Sequence, residues 1–204
     1  MSEQPGTVYI VDDDASVRRA AARLLSAAGF QALTFETAQE FLEFPCIKPP
    51  CCLLLDVQMP GLTGIELQEQ LAGCQPALPI VFITGHGDIP TSVKAIKAGA
   101  TDFLSKPVDA ESLLSAIRQA LSQHTEAMQR AAALAETRSG VNSLTDRERQ
   151  VMELVVTGML NKRIAAKLGI TEATVKVHRG RVMQKLKVDS VVELVRLHDR
   201  LQAG

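Results

Sequence analysis

Leu53-Leu54-Leu55-Asp56-Val57-Gln58-Met59-Pro60-Gly61 decides how this chain folds. Three consecutive leucines show no polar alternation, which fits a strand buried on both faces of a parallel sheet. The run then ends at an acid. In open α/β sheets, ligands bind in the crevice beyond the carboxyl ends of the strands, so Asp56 is delivered to the place where chemistry is done. Pro60 and Gly61 break the chain, and Thr63 with Glu66 has the spacing of a capping box that starts a helix. Strand, acid, turn and capped helix make half of a βαβ unit.

The same punctuation recurs on either side. Residues 7–11 are a β-branched and aromatic run that stops at Asp12-Asp13-Asp14. Val17, Ala20, Ala21, Leu24, Leu25 and Ala28 then form one apolar helix stripe closed by Gly29. A short strand near 32–35, a helix near 38–44 and a loop over 45–50 lead into the central run. Beyond it, residues 79–84 read as a strand ending in Thr84, with Gly85-His86-Gly87-Asp88 as its loop and a helix over 90–98. Gly85 and Gly87 serve either loop geometry or contact with phosphate. Residues 101–105 form a fifth strand, followed by Lys106-Pro107 and a helix that Asp109 caps. The order is (βα)5, an α/β module with polar groups at its strand ends.

If strands one, three, four and five are neighbours, Asp12, Asp13, Asp56, Thr84 and Lys106 share one crevice. Close carboxylates repel one another and invite a hard divalent cation. Mg2+ or Mn2+ would be held by Asp12, Asp13 and Asp56 with the backbone carbonyl of Gln58. Lys106 offers a compact cation for a phosphoryl oxygen, and Thr84 a hydroxyl donor. A carboxylate that attacks phosphorus forms an acyl phosphate, so the expected chemistry is phosphoryl acceptance by Asp56.

Charge divides the chain. From Leu144 onward there are 12 basic and 7 acidic residues, an excess of five positive charges, whereas the preceding part holds 10 and 16. A basic module attached to an acidic one points to an anionic polymer as partner, with nucleic acid first. No apolar run reaches the roughly 18–20 residues of a membrane span, and no basic region followed by an apolar stretch opens the chain, so a cytoplasmic protein without a membrane partner is expected. Cys46, Cys51, Cys52 and Cys74 lack the paired spacing of a zinc site. They read as reduced thiols, a redox role being the other reading.

Residues 109–138 read as helix, with Leu113, Leu114, Ile117, Ala120 and Leu121 as the apolar stripe of its first part. The expected domains are 1–122, a linker over 123–141 that is either an exposed helix ended by Ser139-Gly140 or a flexible tether, and 142–204. In the last, Thr145 and Glu148 form a second capping box, Gly158 ends a first helix, Asn161 caps a second, and Gly169-Ile170-Thr171 turns into a third. Val175, Val182 and Leu186 of the third helix face inward, while Lys176, Arg179, Arg181, Lys185 and Lys187 make it strongly positive. Two short helices joined by a glycine-containing turn form a helix-turn-helix, whose second helix enters a major groove.

Val11-Asp12-Asp13-Asp14, Leu55-Asp56-Val57-Gln58-Met59-Pro60-Gly61, Ile83-Thr84-Gly85-His86-Gly87 and Lys106-Pro107 resemble the receiver domain of two-component response regulators over about residues 6–122. The resemblance implies a flavodoxin-like sheet in the order 2-1-3-4-5, Asp56 as phosphoacceptor, Asp12 and Asp13 as the acidic pair, Thr84 and Phe103 as a switch pair, Lys106 as phosphate partner, and a cis peptide before Pro107. Phe103 alone would equally be a core aromatic. Leu144-Thr145-x-Arg147-Glu148, Asn161-Lys162-x-Ile164-Ala165 and Thr174-Val175-Lys176-Val177-His178-Arg179 resemble the LuxR-type output domain of the NarL/FixJ class, nearest its FixJ-like branch. That likeness implies a four-helix domain in which Lys176 and Val177 face bases and Asn161, Lys162, Thr174 and Arg179 touch phosphate, beside Gly180 and Arg181. Gly180 departs from relatives with a basic residue there, either for close approach to DNA or by drift. The last helix, with Val191, Leu194, Val195, Leu197 and His198, resembles the class's dimerisation helix, though core packing accounts for part of that stripe.

Together these imply a transcription factor that a sensor histidine kinase phosphorylates on Asp56. Phosphorylation would drive homodimerisation around Val93, Lys97 and Asp102, binding of double-stranded promoter DNA, and contact with RNA polymerase. An aspartate-nucleophile phosphatase is the rival from another class, but it needs a second acid where this chain has Gln58, so no enzyme is expected. A regulator that acts without phosphorylation is the other alternative, and a ligand-gated regulator fits least.

Overall fold

The structure is a computed structural model that describes residues 6–45, 47–74, 76–85 and 89–202. Cys46 and the loop positions His86, Gly87 and Asp88 lie outside the described residues. The chain divides into two compact units, Met1–Gln129 and Arg130–Gly204.

The first unit is a five-stranded parallel sheet in the order β2-β1-β3-β4-β5. Its elements alternate as the periodicity predicts: β1 Thr7–Val11, α1 Ala15–Ala27, β2 Gln31–Phe35, α2 Ala38–Leu42, β3 Cys51–Asp56, α3 Gly64–Leu71, β4 Ile80–Thr84, α4 Ile89–Lys97, β5 Asp102–Ser105 and α5 Ala110–Asn142. Every residue of β3 is buried, because the strand lies mid-sheet with helices over both faces. The leucines divide between two cores. Leu53 and Leu55 join Tyr9, Val11, Phe82 and residues of α2, α3 and α4, whereas Leu54 joins Val8, Ile10, Val81 and residues of α1 and α5. Continuous hydrophobicity in the sequence is thus two alternating sets, each with its own helical layer.

Local signals set the element ends. Thr63 and Glu66 form both hydrogen bonds of the capping box that opens α3. The Asp109 carboxylate accepts from Ser112 N–H at 2.9 Å at the head of α5. The Lys106-Pro107 peptide is cis, as is Pro49-Pro50. Tyr9, Phe35, Phe41 and Phe44 pack their rings 5.3–6.2 Å apart, and the Tyr9 hydroxyl accepts the Lys48 N–H at 2.8 Å, which ties the loop before β3 to the core.

One expected boundary is corrected. Helix α5 continues through Ser139-Gly140 to Asn142. Gly140 answers to packing: a Cβ there would stand 3.0 Å from Lys185 O and 3.2 Å from a Leu186 methyl. The glycine lets α5 lie against the end of a later helix and does not break its own.

The second unit holds α6 Asp146–Val156, α7 Asn161–Leu168, α8 Glu172–Leu186 and α9 Val191–Gln202 around a core of Val151, Val155, Ile164, Val175, Val182, Leu186 and Leu194. Thr145 and Glu148 form the second capping box. Gly169 closes α7 in the left-handed region, at φ 67°. Asn161 does not cap α7. Leu160 occupies that position without a side-chain bond, and the Asn161 side chain instead accepts from Arg179 at 3.1 Å. No helix among the described residues is long and apolar enough to cross a membrane.

Glu148, 2% exposed, accepts from Lys185 Nζ at 2.7 Å and from Thr145 N–H at 2.9 Å. The Lys185 hydrogen bond, reinforced by Thr145, lowers its carboxyl from 4.5 to about 2. A depressed acid stabilises the fold fully above its unfolded value and loses that contribution as pH falls towards the folded one, here from about 4.5 to about 2. Glu148→Gln is expected to destabilise the second unit by about 2 kcal/mol at neutral pH. Hydrogen exchange of α6 and α8 will show the deficit, which should shrink as pH approaches 2.

Candidate functional site

Parallel strands that end together bring their acids together. Asp12 follows β1, Asp56 ends β3, and their strands pair with Val11 opposite Leu55. Asp12 is fully buried, Asp56 is 5% exposed and Asp13 lies at the surface. One oxygen from each of the three falls within a span of 4.8 Å. Lys106, just after β5, reaches across the sheet and donates to Asp12 Oδ2 and Asp56 Oδ2, each at 2.6 Å. Burial pushes the Asp12 carboxyl above its ordinary value, against the opposing hydrogen bond from Lys106. Burial alone would lower Lys106, but its bonds to Asp12 and Asp56 outweigh that and hold it above its ordinary value.

Three carboxylates and one ammonium leave the fully ionised cluster two charges negative. An all-oxygen donor set with that charge suits a hard divalent cation such as Mg2+ or Mn2+. The exposed Asp13 gives an approach from solvent.

The remaining first-unit candidates surround this cluster. Thr84, 1% exposed, ends β4, and its carbonyl accepts the Lys106 N–H at 2.7 Å. The Gln58 N–H donates to Asp56 Oδ1 at 3.2 Å, which brings the main chain of Gln58 beside the acid. Phe103 is half-buried on β5, its ring 6.2 Å from that of Phe82. Val93 and Lys97 are exposed on α4, and Asp102 is half-buried at the start of β5, accepting from Phe103 N–H at 2.8 Å.

Two residues emerge that the sequence reading passed over. Arg18 on α1 donates to the Asp12 carbonyl at 2.6 Å and pairs with Glu36 at 3.4 Å, clamping the acidic loop to the end of β2. Gly64, the first residue of α3, donates to Val57 O at 3.1 Å, and a Cβ on it would sit 2.1 Å from Asp56 O. The place of Gly64 directly after the Thr63 cap was the available signal. The arginine lies on an otherwise ordinary polar helix face and gave none. The cysteines stand apart from this chemistry. Burial pushes Cys51 up to about 12 and Cys52 higher, so both behave as small core side chains, while Cys74 is exposed.

In the second unit, α8 buries Val175, Val182 and Leu186, as expected, and exposes Lys176, Val177, Gly180 and Arg181. Lys162 is exposed, and Asn161, Thr174 and Arg179 are half-buried. The expected positive run is shorter than it reads. Lys185 is spent on Glu148 and the Ser143 carbonyl, and Lys187 pairs with Glu136 and takes a left-handed turn at φ 51°. The outward cations belong to the first two-thirds of the helix.

The first unit is therefore a receiver and the second a helix-turn-helix module. Models of the response regulator receiver domain and of the bacterial regulatory proteins of the luxR family match residues 8–118 and 142–198. The chain is 46% identical over 202 residues to the response regulator protein TmoT of Ectopseudomonas mendocina, covering 99% of this chain and 92% of that one. It is 42% identical over 192 residues to the transcriptional regulatory protein FixJ of Bradyrhizobium diazoefficiens, 94% of each. Among solved structures, the response regulator StyR superposes with a TM-score of 0.86 at 49% identity, over 96% of this chain and 99% of that one. The chain belongs to the two-component response regulators of the NarL/FixJ class, with a receiver and a LuxR-type DNA-binding domain.

Gly64→Ala drives a methyl group into the main chain of Asp56. It is expected to cost about 1–3 kcal/mol of first-unit stability and to weaken Mn2+ binding. Urea unfolding will read the first effect, and loss of the free Mn2+ electron-paramagnetic signal on titration the second.

Proposed function

We propose that this response regulator accepts a phosphoryl group on Asp56 from a partner sensor histidine kinase. The modified protein dimerises and binds promoter DNA. The observation that carries the reading is the Lys106 ammonium 2.6 Å from both Asp12 and Asp56, at the mouth of a three-carboxylate cluster. Asp12, Asp13 and Asp56, with the Gln58 carbonyl, would hold Mg2+ or Mn2+, which supplies charge neutralisation for the transferring group. An Asp56 oxygen attacks phosphorus, the bond from phosphorus to the kinase histidine nitrogen breaks, and an acyl phosphate remains. Lys106 then exchanges its Asp56 contact for a phosphoryl oxygen, and the Thr84 hydroxyl supplies a second donor. The Gln58 amide can neither give a proton to a leaving group nor accept one from water, which favours a stoichiometric acceptor over a turnover enzyme.

The phosphoryl group adds about 1.5 to 2 negative charges, which need new partners. Movement of Thr84 and Lys106 towards it, followed by Phe103, would reshape the surface of α4 and β5. Val93 and Ile96 there are 44% and 47% exposed, beside Lys97 and Asp102. A two-fold arrangement sets Lys97 of one copy against Asp102 of the other, so the patch is self-complementary in apolar contact and charge. The dimer presents two helix-turn-helix modules to double-stranded promoter DNA in the cytoplasm, where RNA polymerase is the onward partner. In this reading the receiver spans 1–122 and the output module 142–204, joined by 123–141.

Incubation with acetyl phosphate and Mg2+ is expected to add one phosphoryl mass to the wild type and none to Asp56→Asn, read by intact mass spectrometry. An equal gain in Asp56→Asn sinks the assignment. Val93→Glu is expected to take the phosphoryl group but remain monomeric by light scattering, whereas the phosphorylated wild type doubles in mass.

A further inference from the structure

Helix α3 buries a polar side chain where it meets α4. Gln68 is 5% exposed, and its Nε2 donates to the Ala95 carbonyl on α4 at 3.1 Å. The other end of the amide, Oε1, is buried without a hydrogen-bond partner among the described residues. The Ala95 carbonyl does not depend on this bond, because it also accepts the Ala100 N–H at 3.1 Å. A buried amide that makes one bond and leaves its carbonyl unpaired joins two helices less firmly than an apolar side chain of the same length. Nothing in the packing of α3 or the ending of α4 calls for glutamine at this position.

The two helices are unequally anchored. Gly64, one turn before Gln68 on the same buried face of α3, closes onto the Asp56 main chain, and Leu67 is fully buried. Helix α4 is held by less: over residues 93–97 only Ala95 is buried, while Val93, Ile96 and Lys97 are exposed. Lys94 meets Glu69 of α3 at 3.3 Å, but both side chains are more than half exposed, so the pair adds little. Over this stretch, docking of α4 on α3 turns on the Gln68 amide and the Ala95 methyl group. Resting on the phosphorylation-driven dimer of α4 and β5, we propose that Gln68 is a positioning residue for α4. Its one hydrogen bond sets the register of α4, and its unpaired carbonyl keeps the docked position easy to leave. When α4 shifts, Oε1 reaches water and its desolvation is relieved, so the half-paired amide biases the receiver towards the dimerising form. Helix α3, fixed at the strand end that carries Asp56, is the reference against which α4 moves.

The test is Gln68→Met in the full chain, which keeps the length of the side chain and removes both polar atoms. Hydrogen exchange of the α4 amides is expected to slow about tenfold in the unphosphorylated protein, the effect of removing one buried unpaired carbonyl. After acetyl phosphate and Mg2+, with equal phosphoryl incorporation confirmed by intact mass, the dimer dissociation constant is expected to rise about tenfold by analytical ultracentrifugation. The melting temperature should equal or exceed that of the wild type, and Gln68→Leu should behave in the same way. A side chain that only fills space would leave the dimer constant unmoved. An unchanged or tighter dimer in both variants overturns the proposal while a dimerising wild type keeps the phosphorylation reading in place. A weaker dimer that comes with a lower melting temperature in both variants also overturns it, since it marks general damage to the receiver. If the phosphorylated wild type stays monomeric, the dimerisation reading and this proposal fall together.

Discussion

A single ammonium group holds the first unit's chemistry together. Lys106 comes from the far side of the sheet to meet carboxylates on two central strands, Asp12 after β1 and Asp56 ending β3. Without it, two nearly water-free carboxylates would face each other with only repulsion between them. With it, the cluster tolerates burial yet keeps a net negative charge for a divalent cation. The lysine side chain is 21% exposed and the Asp12 side chain is fully buried, so the cation stands on the solvent side of the acids.

Fixing the acids is the work of the rest of the sheet. At its last residue β3 is gripped by Gly64, which lets α3 close onto the Asp56 carbonyl. At its first residue the Cys51 N–H donates to Nδ1 of buried His124 on α5, at 2.9 Å. That bond requires a neutral ring, and burial lowers the His124 pKa accordingly. Between these ends, Leu53 and Leu55 are packed against one helical layer and Leu54 against the other. The central strand is therefore held at both termini and on both faces. Displacement of Asp56 would disturb two cores at once, which is how the position of one carboxylate becomes a property of the whole module.

What was readable in the sequence was local. The unbroken leucines, the two Thr-x-x-Glu boxes, the acids after strands and the inward positions Val175, Val182 and Leu186 each declare themselves within one or two helical turns, and each appears as read. The errors arose where a residue answers to a distant partner. Ser139-Gly140 looks like a break, but Gly140 makes room for Lys185 and Leu186 more than forty positions away. Asn161 looks like a cap, but its side chain serves Arg179. Arg18, which the sequence reading passed over, joins the Asp12 carbonyl to Glu36 at the end of β2. Local patterns report propensity, and these residues obey tertiary contacts that propensity does not contain.

The charge of the second unit illustrates the same distinction with a functional consequence. Five cations on α8 and its C-cap suggest a helix uniformly drawn to phosphate. Two of them have partners within the protein: Lys185 neutralises buried Glu148, and Lys187 pairs at the surface with Glu136. Lys176, Arg179 and Arg181 remain, all in the first two-thirds of the helix, with Arg179 also bonded to Asn161. A face with few outward cations gains less affinity from counterion release than one with five, and so depends less on sequence-independent attraction. Val177 is exposed on the same helix, opposite the buried Val175 and Val182.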